Sequence, residues 1–124
     1  MKNLERIIIM KNLELIRGDT AKFKFQRIDA DGNPIMTVAN ELYFTVKENT
    51  KTKPFIFQKT LDDMTFDEEG FYHFVIEPED TNGLQYWDYS YDVEVIQNGV
   101  KTTVAIGKFN LLPEVTWVQN EGGN

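Results

Sequence analysis

Asp88-Tyr89-Ser90-Tyr91-Asp92-Val93-Glu94-Val95-Ile96-Gln97-Asn98-Gly99-Val100 decides the fold. Successive side chains of a strand point to opposite faces. Tyr89, Tyr91, Val93 and Val95 therefore share one side, and Asp88, Ser90, Asp92 and Glu94 share the other. That alternation predicts a strand with one buried and one wet face. Asn98-Gly99 is the strongest short-range hairpin signal, because its two central positions need positive φ. Lys101 to Leu112 returns as the partner strand. Val104, Ala105 and Ile106 make it apolar on both faces, which predicts a central or clamped position.

The same period recurs upstream. Ala21, Phe23 and Phe25 alternate with Lys22, Lys24 and Gln26. The run Asp29-Ala30-Asp31-Gly32-Asn33-Pro34 reads as a turn, since Asp and Asn bond their own backbone and Gly accepts positive φ. A strand is predicted from Glu41 to Lys47, with Leu42, Phe44 and Val46 inward. A shorter one runs from Phe55 to Lys59 at a sheet edge beside Pro54. Leu61 to Gly70 reads as an acidic loop. Phe71 to Glu77 forms the next strand, with Tyr72, Phe74 and Ile76 inward. Pro78 to Leu84 crosses between sheets with one helical turn. Strands every 8–15 residues and no long helical period predict an all-β, antiparallel sandwich of about seven strands with Greek-key connections. Tyr89 and Tyr91 are the candidates for a tyrosine corner, bonding backbone upstream near Pro78 to Thr81.

The chain has 124 residues and no cysteine, which excludes disulfides and thiolate metal sites. It carries 13 Lys and Arg against 20 Asp and Glu, a net charge of −7. An acidic chain repels phosphate backbones, so no nucleic-acid partner is expected. The run Ile7-Ile8-Ile9-Met10 is shorter than the roughly 7–15 apolar residues of a secretory signal and the roughly 20 of a membrane span. No membrane partner is expected, and the predicted location is the bacterial cytoplasm.

Met1-Lys2-Asn3-Leu4-Glu5 recurs at Met10-Lys11-Asn12-Leu13-Glu14. One reading is coincidence or a second start at Met10. The other makes residues 1–12 an extension carrying an extra strand, whose Ile7, Ile8 and Ile9 form a candidate assembly strand for another subunit's sheet edge. The sandwich is predicted over residues 13–117. Residues 118–124, polar and Gly-rich, read as a tail.

Chemistry-bearing constellations are sparse. The single histidine, His73, lies in a strand out of phase with Phe74 and reads as an outward or cross-strand-paired residue. With no Cys and no second His, nucleophilic and zinc mechanisms lack their groups. The acidic run from Asp62 to Glu69 and the set Asp29, Asp31 and Asn33 lack calcium-loop spacing and read as solvated loop and turn. Arg17-Gly18-Asp19 reads as a strand entry. Tyr86, Trp87, Tyr89 and Trp117 read first as core packing; stacking on a sugar is the other use of such side chains. No catalytic residue, metal or cofactor is predicted.

Several strand entries and turns resemble a known domain. They are Leu15-Ile16-Arg17-Gly18-Asp19-Thr20, Asp31-Gly32-Asn33-Pro34-Ile35, Tyr43-Phe44-Thr45-Val46-Lys47, Ile76-Glu77-Pro78-Glu79-Asp80-Thr81, Tyr91-Asp92-Val93, Gly107-Lys108-Phe109 and Leu112-Pro113-Glu114-Val115-Thr116. Together they resemble the immunoglobulin-like domain of tailed-phage and prophage structural proteins, and are similar to the N-terminal domain of upper baseplate proteins. The resemblance covers about Leu13 to Thr116. It implies an immunoglobulin-like fold, no catalytic residues, and a structural role among virion proteins or with a second copy, with the virion as final location. The alternative is a carbohydrate- or host-surface-binding module, for which Tyr86 and Trp87 are the ligand-facing candidates. Exposed aromatics would favour the alternative and buried ones the structural role.

Overall fold

The computed structural model describes residues 6–8, 12–51 and 54–113. Nine strands run through these residues: β1 (Arg6–Ile8), β2 (Leu13–Ile16), β3 (Ala21–Ile28), β4 (Glu41–Lys47), β5 (Phe57–Thr60), β6 (Thr65–Phe66), β7 (Phe71–Ile76), β8 (Asp88–Gln97) and β9 (Val100–Leu112). One helical turn, α1 (Pro78–Thr81), joins β7 to β8. One sheet has the order β1-β3-β7-β6 and the other β2-β9-β8-β4-β5. The chain changes sheet at β1–β2, β2–β3, β3–β4, β5–β6 and β7–β8, which gives the Greek-key sandwich of an immunoglobulin-like fold.

The inward residues follow the period-2 reading. Leu42, Phe44 and Val46 of β4, Tyr72, Phe74 and Ile76 of β7, and Tyr91, Val93 and Val95 of β8 are all buried. Ring pairs knit the core within and between the sheets: Phe44 of β4 lies 4.8 Å from Phe74 of the facing sheet, and Phe25 lies 5.2 Å from Tyr72 on the neighbouring strand, centroid to centroid. Each buried aromatic or branched side chain contributes about 1.5–3 kcal/mol by leaving water. The aromatic layer is thus the main source of stability. At the hairpin, Asn98 and Gly99 have φ of 53° and 80°, as the Asn-Gly pair predicts.

Several expectations need correction. The strands number nine among the described residues, not about seven, and β2 pairs with β9 in parallel. The extra strand β1 pairs antiparallel with β3 of its own chain, Ile7 opposite Arg27 and Ile8 opposite Gln26. It therefore belongs to the sandwich rather than preceding it. Ile9 lies outside the described residues, as do Trp117 and the tail. The acidic loop contains a 3-10 turn at Leu61–Asp63 and the two-residue strand β6. β9 is clamped by β2 only over Phe109–Leu112. A bulge explains part of its apolar run: Val93 faces Ala105 while Glu94 faces Thr103, so Val104 is an extra residue, and Val104 and Ala105 are both half-buried. Ile106, opposite Asp92 and out of phase with Phe109 and Leu111, is 68% exposed.

Candidate functional site

The candidate aromatics sit where the chain enters β8. Gly83 takes φ of 88° just after α1, and the Leu84 amide donates to the Thr81 carbonyl at 3.0 Å. The segment that follows is tied down from several sides. Arg17 Nη1 donates to the Leu84 carbonyl at 3.1 Å, and the Tyr89 hydroxyl donates to the Gln85 carbonyl at 2.9 Å. The Leu111 amide donates to the Trp87 carbonyl at 3.0 Å. Asn110 Nδ2 donates to Asp88 Oδ1 at 2.7 Å across the β8–β9 pair. Tyr89 is thus the corner tyrosine, although its partner is Gln85 rather than residues 78–81. Tyr91 instead lies in the core, 5.4 Å from the Phe44 ring, and burial pushes its hydroxyl pKa up to about 12.

The core reading of Tyr86 and Trp87 is overturned. The two residues are 42% and 55% exposed: Tyr86 lies off the inward parity of Tyr89 and Tyr91, and Trp87 shares that parity but lies just before β8 begins. The Arg17 guanidinium stacks 4.5 Å above the Tyr86 ring. Together the two aromatics, Asp88, Lys108, Leu111, Leu112 and Pro113 line an open concavity of about 620 Å³. Leu112 and its register partner Ile16 are also partly exposed beside it. Arg17-Gly18-Asp19 is a turn: the Asp19 amide donates to the Ile16 carbonyl at 3.0 Å and the Gly18 amide to Thr81 Oγ1 at 2.9 Å.

The opposite end of the sandwich is closed by a polar knot absent from the expectations above. Arg27 is only 1% exposed. Its Nη1 donates to the Thr37 carbonyl at 3.2 Å and to the Tyr72 hydroxyl at 3.3 Å, and that hydroxyl also accepts from the Ala39 amide at 3.1 Å. The phase of Phe23 and Phe25, carried two residues further, points Arg27 inward. The acidic segments serve backbone. Asp29 Oδ1 accepts from the Asp31 and Asn33 amides at 2.9 and 3.0 Å. Asp67 Oδ1 accepts from Glu69 and Phe71 at 2.8 and 3.0 Å, while its Oδ2 lies 2.8 Å from His73 Nε2. The His73 contact, then the Phe71 amide, lowers the Asp67 pKa to about 2. The described residues contain no cluster of three or more acidic or His side chains arranged to hold a metal ion. No helix among them is long and apolar enough to cross a membrane.

Solved structures similar to the chain include the following two. Titin domain M7 is 12% identical with a TM-score of 0.47, over 90% of this chain and 96% of that one. Dimeric latent PorU from Porphyromonas gingivalis is 12% identical with a TM-score of 0.49, over 91% of this chain but 13% of that one. No curated protein matches the sequence.

Residues 7–119 match the family model FctA, described as a Spy0128-like isopeptide containing domain. An isopeptide joins a lysine Nζ to a side-chain carboxyl or carboxamide carbon, releasing water or ammonia. Tyrosines aside, the buried polar side chains of the described residues are Arg27, Thr45, Thr81 and Ser90, none with the required pair of groups. Lys59 Nζ does lie 2.7 Å from Asp80 Oδ2, tying β5 to α1, as an ion pair whose side chains are 15% and 18% exposed. The match nevertheless runs from β1 through β9, and the chain belongs to the FctA family of Spy0128-like isopeptide containing domains.

Proposed function

We propose that the chain is an assembly module of a tailed-phage or prophage tail or baseplate, working through contacts with other virion proteins or a second copy. The observation that carries the coarser half of this reading, a structural protein-contact module, is the family match to a Spy0128-like isopeptide containing domain over residues 7–119, which supports it. The finer half is supported by the strand-entry and turn motifs from Leu15 to Thr116. The architecture suits the task. A sandwich with an aromatic core is rigid, and its sheets end in edges that a partner strand can extend. β5 is one such edge and the short β6 another. β1 is bonded to β3 on one side and is itself the other edge of that sheet, so its outer side is a further edge that a partner can extend.

The test is sedimentation of particles released from the host cell, probed with an antibody to the chain. The expected result is co-sedimentation with tail or baseplate particles. Recovery of all the protein at its free sedimentation rate would contradict the proposal.

A further inference from the structure

We propose that the concavity beside Trp87 is a carbohydrate site, taking a pyranose ring on Trp87, with Tyr86, whose ring carries the Arg17 guanidinium, at its margin. This goes beyond the assembly role and does not depend on it. Three observations support it. The aromatics are exposed yet sit on a pinned backbone, each neighbour from Leu84 to Asp88 being tied to Arg17, Tyr89, Leu111 or Asn110. A pre-organised platform loses little entropy on binding. The ring faces carry partial negative charge and favour the slightly positive C–H face of a sugar.

The rim is polar in a way that suits hydroxyls. Asp88 offers a carboxylate, already oriented by the Asn110 amide, and Lys108 offers an ammonium group on the same concavity. Sugar hydroxyls donate to the first and accept from the second. The concavity of about 620 Å³ falls within the range of small-molecule sites.

The experiment uses the full chain carrying Trp117→Phe, in which Trp87 is the only remaining tryptophan. Its fluorescence is followed while maltohexaose, cellohexaose and chitohexaose are added in turn to millimolar concentration. Gel retardation in soluble polysaccharides of the same three linkages runs alongside. The expected result is a saturable shift with at least one probe. In the chain with both tryptophans, retardation should weaken about tenfold in Trp87→Ala and in Asp88→Asn, with thermal unfolding unchanged in both. No saturable response to any probe would overturn the proposal. So would binding that Trp87→Ala leaves intact, or a Trp87→Ala defect confined to co-sedimentation with tail particles, which would assign the patch to a protein interface.

Discussion

The two ends of the sandwich each carry an arginine, and they use it in opposite ways. Arg27 is buried, bridging Thr37 and Tyr72 and closing the end where β3 leaves for β4. Arg17 lies at the other end, where it stacks on an exposed tyrosine and holds the Leu84 carbonyl. A buried charge is costly unless its donors are met, so the first end is committed to folding. The second end has aromatic surface that contributes little to the core. The contrast separates residues that make the fold from residues left available to a ligand.

The largest expected effect is at the closed end. Arg27→Ala removes a buried side chain and the donors to Thr37 and Tyr72, and should cost about 3 kcal/mol in urea unfolding. Tyr72→Phe keeps the ring but removes the acceptor for Arg27 and for the Ala39 amide. It should cost about 1–2 kcal/mol in the same measurement. A near-neutral result for both would break the comparison.

A third prediction concerns the acidic turn at the β6–β7 corner. Asp67 is depressed to about 2 in the folded chain, chiefly by His73, from an ordinary value of 3.8. A depressed carboxyl stabilises above its unfolded value and loses that contribution as pH falls through its folded one. The fall in stability from about pH 4 toward about pH 2 should therefore be shallower in Asp67→Asn, as read by melting curves across that window. Gly70 completes the turn at φ of 91°, where an added Cβ would also meet Met36 Sδ at 3.1 Å. Lys59 and Asp80 are expected to remain an ion pair rather than an isopeptide: peptide mapping should recover both unlinked, and a Lys59–Asp80 cross-linked peptide lighter by one water would contradict the arrangement.

Much of the fold was legible because alternation and turn chemistry act locally. β4 begins and ends where Glu41 and Lys47 bound the apolar phase, and the Asn98-Gly99 turn has the conformation its residues favour. Other features depend on tertiary pairing. β6 has two residues and exists only because Thr65 and Phe66 meet His73 and Tyr72. The parallel pairing of β2 with β9 leaves no local pattern. The Val104 bulge lets consecutive Val104 and Ala105 both turn partly inward, whereas Ile106 faces outward opposite Asp92. The site was only half legible. Tyr86 and Trp87 stood out as large aromatics, but their exposure depends on where β8 begins relative to them. Tyr89, two residues further on, is buried.

The smallest expected effect is also the most direct test of the difference between the two ends. Urea unfolding of Trp87→Ala should give a stability within about 0.5 kcal/mol of the parent chain, as for a side chain outside the core. A loss comparable to that of Arg27→Ala would make Trp87 part of the folding core and contradict the account of an open, ligand-facing end.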